Sequence, residues 1–566
     1  MSTHGFASAV RLSNKLADLF ALRRTNDDEV RMYRNFAKRG LADEADLYTG
    51  LGEAGSTGAL FEKLLRRVAM QHSFKDKDGA STDDGSNDNP NIPAGYTYFL
   101  QFIAHDLTKN TSSPTVLAGS ANKSFNARKH GLMLESLYGG GPLVDPMLYQ
   151  VTGKPDGIRS RLRVGKVRET PFYKTNPEPG GCPFLQRDLP RNRQDETRIA
   201  PDPLSFVDVA VADPRNDDTP MVSQLASIFH LAHNAIVDSL ENCESLKFDE
   251  NGWPKQLNLF EAARYVLTKT FHQIIIHDLL KKLLSERVYH AYSLKQFRPL
   301  VDTCVDDLPL EFSHAAGRAC HAMVRKAYVF NRASQRQGLV DALKINSAAR
   351  PEDFPLDHVW VSQWSQFFKL SKTDPLLSRR IGPSYNDILT RELLFPNGDY
   401  GAHEGHVPDS PGGLMLRDLV RGTMGGLQKL SVLREVVPIE LQAGSPLLSQ
   451  NGDWAVSLRA WLIDGFNDFS EVELDSLVSD PPLLFWILFE AMEQEQGLRF
   501  GTLGSLILGD TILARISNVL PVPAIKPNSQ TLEEIVFGAS LPSTMCDLIQ
   551  FISDKLKLNN ARPRFL

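Results

Sequence analysis

The chain has 566 residues, 42% of them apolar, with 62 Lys and Arg against 68 Asp and Glu for a net charge of −6. That balance is of an ordinary soluble globular protein and excludes a strongly basic surface built for nucleic acid or an anionic membrane. The length exceeds one typical domain, so the chain is either two or three domains or one large helical body around a cofactor.

Five cysteines, Cys182, Cys243, Cys304, Cys320 and Cys546, are odd in number, far apart and without CxxC spacing. They exclude a disulfide framework and a structural zinc site, and read as reduced thiols. The first thirty residues lack the continuous apolar core of a secretory signal, and "PPLLFWILF" is too short to span a bilayer. No transmembrane segment and a cytoplasmic location are therefore expected, with export lacking a cleaved signal left open.

In chain order, residues 1 to about 70 read as short amphipathic helices, and Phe74 to Gly95 as a polar loop or boundary rich in turn formers. Helical periodicity then dominates over 221–240, 259–284, 315–330, 412–427 and 482–495. Strand-like alternation is scarce, and no repeat or helix-strand alternation points to a parallel sheet. "YGGGPLVDP", "NPEPGGCP" and "FPNGDYGAHEGHVPDSPGG" read as long ordered loops.

Four stretches carry candidate chemistry. In "YFLQFIAHDLT" a helix places Gln101 and His105 on one face at i,i+4 and turns Asp106 about a hundred degrees away; the bland alternative is a core histidine. In "ADPRNDDTP" an Asp-rich N-cap followed by Pro220 in the first turn explains everything except Arg215, with Asp218 three residues on. Arg318 and His321 in "GRACHAMV", and Asp418 and Arg421 in "LRDLVRG", are i,i+3 pairs on predicted helices. His230 and His233 lack a third ligand and read as helix packing, and "HEGH" at 403–406 reads as a loop rather than a metal pair.

Taken in order, "IPAGYTYFLQFIAHDLT", "ESLYGGGP", "ADPRNDD…FHLAHN", "GRACH…VFN", "LRDLVRG" and "LFWILFEAMEQEQGLRFGTLGSLIL" resemble the animal-type haem peroxidases of the peroxidase-cyclooxygenase superfamily, in a bacterial or fungal form. The resemblance runs from about Ile92 to about Thr511. It implies a mainly α fold: one large haem-peroxidase domain at 91–566 with long loops and little β, after an N-terminal helical arm and polar linker at 1–90. By the same resemblance His105 is the distal histidine, Gln101 shares its pocket, Arg215 is the distal arginine and His321 is the proximal ligand of the haem iron. The chemistry accounts for these residue types, since a neutral imidazole takes a proton from H2O2 and returns it to the leaving oxygen, and a guanidinium stabilises the charge developing across the O–O bond. Asp418 stands where the family has Asn as partner of the proximal imidazole, which predicts more imidazolate character and a lower reduction potential. Arg318 and Arg421 correspond to partners of the haem propionates.

Departures from the family pattern carry further expectations. Ala104 replaces the Asp that forms one haem ester, and Asp218 replaces a Glu that forms the other. Haem b is therefore expected to be non-covalent, with at most one ester through Asp218. The family's Ca2+ site would use Asp106, but Met133 stands where another Asp is expected, which leaves Asp106, Glu135 and backbone carbonyls as an impoverished set; Lys129 is the alternative neutralising partner of Asp106. Arg318 also replaces the radical-forming Tyr of the fatty-acid oxygenases. The expected function is a peroxidase that reduces H2O2 through a high-valent iron intermediate and oxidises small organic donors or halides. The alternatives are a haem-dependent oxygenase or tailoring enzyme acting on a specific organic or lipid substrate, and a haem-binding protein without turnover.

Overall fold

The computed structural model describes residues 57–71, 87–109, 131–168, 209–247, 253–301, 308–350, 353–389, 413–448, 454–517 and 530–555, with 154–156 and some single positions in these ranges excepted, and isolated residues between them, including 33–34, 36–37, 126, 128 and 188–191. The architecture is mainly α. Its helices include α1 (Thr57–Gln71), α2 (Gly95–Leu107), α3 (Pro220–Glu241), α4 (Lys255–Ile274), α5 (Gly413–Met424), α6 (Leu483–Glu495), α7 (Thr502–Ile516) and α8 (Met545–Lys555). Among the described residues the β structure is three two-stranded pairings.

The long periodic segments form helices close to their predicted bounds. Predicted segment 221–240 is α3, started by Thr219, whose hydroxyl accepts the Val222 N–H, and by Pro220 at the first helical position. The cap is thus Thr219, while Asp213 caps the separate 3₁₀ turn Pro214–Asp217 by accepting the Arg215 N–H. Predicted segment 259–284 is α4 continued through a π turn, Ile275–Leu280. Two expectations fail locally. The predicted helix 315–330 is a π turn (Phe312–Ala316), one helical turn (Gly317–Ala319) and a 3₁₀ turn (Cys320–Met323), after which Ala327–Tyr328 pairs antiparallel with Gln337–Gly338. Within the predicted loop 74–95, Asp88–Pro93 is a strand against Leu377–Arg379, and the Arg325 guanidinium holds Asp88 beside it. The first pairing is a short hairpin that follows the end of the helical turns, and the second joins distant parts of the chain, so helical periodicity could show neither.

One apolar cluster joins α1 through Leu60, Phe61, Leu64, Leu65 and Val68 to the main body, so this part of segment 1–90 shares the core. Helix α2 sits near the middle of that core. Its Phe99 and Phe102 pack against Phe229 of α3 and Phe271 of α4, with Phe102 and Phe229 stacked at 4.9 Å. Gly95 lets its first turn approach the 367–368 backbone, since a Cβ there would lie 2.6 Å from the Phe367 carbonyl oxygen. Tyr96 donates to Asp278 of the π turn at 2.7 Å, and Asp278 also accepts the Met545 N–H that opens α8. The helix bearing Gln101 and His105 is thus fixed at both faces and at its start.

Candidate functional site

Almost every residue from Tyr96 to Thr108 is buried; Gln101, Ala104 and Thr108 alone keep surface, a stripe at i, i+3 and i+7. A second stripe runs through His314, Gly317, Arg318 and His321. The turn bearing His321 packs against α2, so both stripes border the same region of the body. The side chains of His321 and Arg318 are 28% and 32% exposed, although apolar neighbours on both sides of them are fully buried.

His105 is held by residues distant in sequence. Its Nδ1–H donates to Oδ1 of Asn216 at 3.0 Å, and the Asn216 amide N–H in turn donates to the Ser136 carbonyl at 3.1 Å. That fixes the neutral tautomer with the proton on Nδ1, leaving Nε2 with its lone pair free. Nε2 lies 4.0 Å from Oδ2 of Asp218, too far for a hydrogen bond. Burial first, and the Arg215 guanidinium second, push the His105 imidazole down to about 4. Burial pushes the Asp218 carboxyl up to about 6 against the opposing pull of Arg215.

Arg215 stands beside His105, and its guanidinium closes the end of α2. It binds Asp213 through Nε at 3.0 Å and Nη2 at 2.7 Å, and donates to the carbonyls of His105 and Thr108. Arg128 shares Asp213 and also donates to the His105 carbonyl. These bonds satisfy carbonyls that a helix terminus leaves unpaired. The turn carrying Arg215 and Asn216 is clamped in its own right, because Arg191 binds Asp217 and Asp188 together.

His321 is tethered the same way. Its Nδ1–H donates to Oδ2 of Asp418 in α5 at 2.7 Å, and Arg318 lies 3.9 Å from the other carboxylate oxygen. Its Nε2 has no partner among the described residues. Tyr385, fully buried, packs edge-on against the imidazole with ring centroids 6.3 Å apart and donates to the Arg318 carbonyl. Arg421 belongs to α5, but its side chain lies outside the described residues. Two imidazoles, buried His105 beside the first stripe and half-buried His321 on the second, each have Nδ1 held by a side-chain acceptor, and neither Nε2 has a hydrogen-bond partner among the described residues, which is the chemistry a haem ligand and a proton-transfer partner need.

The Asp106 region does not fit calcium. Both carboxylate oxygens accept backbone N–H groups, from Leu134 and Ser136, each at 2.8 Å. A hard cation needs oxygen donors there, and the chain presents N–H groups. Among the described residues no three His, Cys, Asp or Glu side chains gather as a metal site. Lys129, the other expected partner, lies outside the described residues, as do Cys182, Cys304 and the 403–406 segment. His230 and His233 are packing residues: they bond the carbonyls of Arg163 and Ser160, both at 2.8 Å, and His233 also bonds the Tyr138 hydroxyl.

Asn216, Arg128 and Tyr385 are not among the residues that the sequence singled out, and Asp213 stood there only as part of an Asp-rich N-cap. Asn216 had a signal, its place next to Arg215; Arg128 and Tyr385 had none, since only folding brings them to the two histidines.

Residues 161–381 match the family model described as animal haem peroxidase. That stretch includes Arg215, Asp218, Arg318 and His321, while Gln101, His105, Asp106, Asp418 and Arg421 lie outside it. No curated protein sequence matches the chain. Among solved structures, peroxidase A from Dictyostelium discoideum aligns at a TM-score of 0.49 with 13% identity, covering 93% of each chain. A fatty acid alpha-dioxygenase from Oryza sativa aligns at 0.49 with 12% identity over 93% of this chain and 88% of its own, and one from Arabidopsis thaliana at 0.47 with 14% over 84% and 74%. No helix among the described residues is long and apolar enough to cross a membrane. Over residues 161–381 the chain is therefore similar to the animal haem peroxidases.

Proposed function

We propose that the chain is a haem-dependent peroxidase that consumes H2O2 and oxidises small organic donors such as phenols, or halides. The observation that carries this reading is the matched tethering of two histidines: His105 through Asn216 and His321 through Asp418, each with an Nε2 that has no hydrogen-bond partner among the described residues. In it, His321 Nε2 would ligate the haem iron with Asp418 orienting that ring, and Arg318 and Arg421 would pair with the propionates. Bound haem supplies the redox iron at which the O–O bond of peroxide is reduced.

The chain's own residues handle the protons. Neutral His105 takes a proton from peroxide at Nε2 and delivers it to the departing oxygen, for which its lowered pKa keeps it unprotonated near neutrality. Arg215 contributes positive charge beside His105, and Gln101 adds polarity on the same stripe. Haem b is held without covalent bonds, since Ala104 offers no carboxylate; Asp218 is the one acid beside His105 that could form an ester. Calcium has no part in this proposal.

The test is a spectrum of the haem-loaded protein before and after H2O2, with guaiacol and bromide as donors. A rapid Soret change followed by donor oxidation is expected. A Soret band indifferent to peroxide overturns the reading.

One observation favours an oxygenase as second reading. Arg318 removes the tyrosine three residues before His321, yet Tyr385 comes from elsewhere in the chain to pack against the same imidazole. Its hydroxyl donates to a backbone carbonyl rather than to a base, and burial holds its pKa well above the usual phenol value. Loss of its proton together with an electron is therefore disfavoured, which ranks the peroxidase first.

A further inference from the structure

Ten large apolar side chains are strongly exposed among the described residues, and four of them, Leu143, Val144, Met147 and Val151, fall within nine positions. They follow the "YGGG" turn, where Gly139 and Gly141 have positive φ. The segment then runs antiparallel to 159–163, with the Gln150 N–H bonded to the Arg161 carbonyl at 2.8 Å and the Arg163 N–H to the Leu148 carbonyl at 2.9 Å. The inner side of this hairpin is anchored: Leu148, Tyr149 and Leu162 are buried, and the Tyr149 hydroxyl donates to the Tyr138 carbonyl. Among the described residues, Leu143, Val144, Met147 and Val151 on its outer side stay uncovered.

Cations lie directly against these side chains. Arg159 donates to the Pro146 carbonyl at 2.6 Å and Arg163 to the Met147 carbonyl at 3.0 Å, and both line a groove of about 570 Å³ together with Met147 and Val151. Exposed Lys166 borders the adjoining groove with Arg163. None of these three has a carboxylate partner among the described residues. Of the acids nearby, Asp238 and Glu241 bind Arg161, and Asp145 accepts the Gly140 N–H and is the one carboxylate among the described residues of the loop itself, against the three cations of the rim. A second exposed apolar group, Val456, Ile463 and Val472, sits instead among Asp464, Asp468, Glu471 and Asp475 and lacks this charge.

We propose that the 143–151 loop and its Arg159, Arg163 and Lys166 rim dock on the surface of an anionic phospholipid bilayer. Apolar side chains that reach the headgroup boundary and cations that meet acidic headgroups are the two signals that reversible surface attachment combines. The whole-chain charge of −6 conceals this, because it averages over a surface on which the cations are gathered locally. The proposal does not depend on the haem reading.

Flotation of the full chain with phosphatidylcholine vesicles, with and without phosphatidylserine, tests it. The chain is expected to float with phosphatidylserine vesicles, to be released by salt, and to stay behind with phosphatidylcholine alone. Combining Lys166→Glu with Met147→Ser and Val151→Ser, all at exposed positions, weakens binding about tenfold or more while thermal unfolding is unchanged. Equal partition onto both vesicle types, or a triple variant that binds like the native chain, overturns the proposal. So does a concentration-dependent dimer that the triple variant abolishes without any vesicle binding, which would assign the patch to a second copy of the chain.

Discussion

The Nδ1 atom of His105 lies 3.0 Å from Oδ1 of Asn216, and that single bond decides which ring nitrogen is free to move a proton. Asn216 is two residues from Asp218 and next to Arg215, so one short 3₁₀ turn delivers the tautomer lock, the neighbouring acid and the neighbouring cation. His105→Ala should lower the rate of reaction with H2O2 by about 10²–10⁴-fold, the usual contribution of a positioned acid-base group. Asn216→Leu should retain haem and lose about tenfold, the equivalent of one hydrogen bond. Stopped-flow Soret kinetics at fixed pH check both; an Asn216→Leu protein as fast as the native chain sinks the tautomer lock.

Acid should limit the peroxide reaction late. His105 must be neutral to accept a proton, and it stays so until pH falls through about 4, rather than the usual 6.5. Asp218, raised to about 6, should add a second, smaller inflection in the pH profile of that rate. Asp218→Asn removes the upper inflection and leaves the lower one, which pH-jump kinetics can read directly.

Stability should also fall on acidification. Buried His230 and His272 are lowered to about 4 and His233 to about 3, chiefly by burial. Unfolded histidines bind protons from about pH 6.5 downward while the folded ones do not, so these groups contribute stability above 6.5 that is lost as pH falls toward 4. Glu490, raised to about 7, acts with the opposite sign, since its burial cost is relieved by protonation. Thermal unfolding should therefore show a shallower acid decline in His272→Gln than in the native chain, and a steeper one in Glu490→Gln.

Asp418 accepts from His321 Nδ1 at 2.7 Å, where an amide would take the same bond without charge. Asp418→Asn should raise the reduction potential of the haem-loaded protein, because the proximal imidazole loses anionic character. A redox titration with no shift would falsify this.

Acid-acetone should extract the haem, since Ala104 can form no ester. Haem that remains with the native protein but leaves Asp218→Ala would place one ester at Asp218. Chelation of calcium should leave thermal unfolding unchanged, whereas Asp106→Ala should cost roughly 3 kcal/mol by stranding the buried Leu134 and Ser136 amides. A chelator-sensitive transition would restore calcium to that position.

By itself the sequence determined the helical class, the long helices α3, α4 and α6 and the packing role of His230 and His233, and it supplied the residues on which the proposed site rests. Those are local properties: periodicity and caps act within a few turns, and spaced motifs retain their order whatever the fold. The tertiary structure decided how those residues are tuned. It ended the predicted 315–330 helix at Met323, drew the strand Asp88–Pro93 out of an expected loop, turned Arg215 onto Asp213 and the end of α2, and met Asp106 with amides rather than metal donors. It also brought Asn216 to His105 and Tyr385 to His321. Such contacts join positions tens to hundreds of residues apart, and a pKa, a tautomer or a strand pairing depends on neighbours in space, which no single stretch of chain contains.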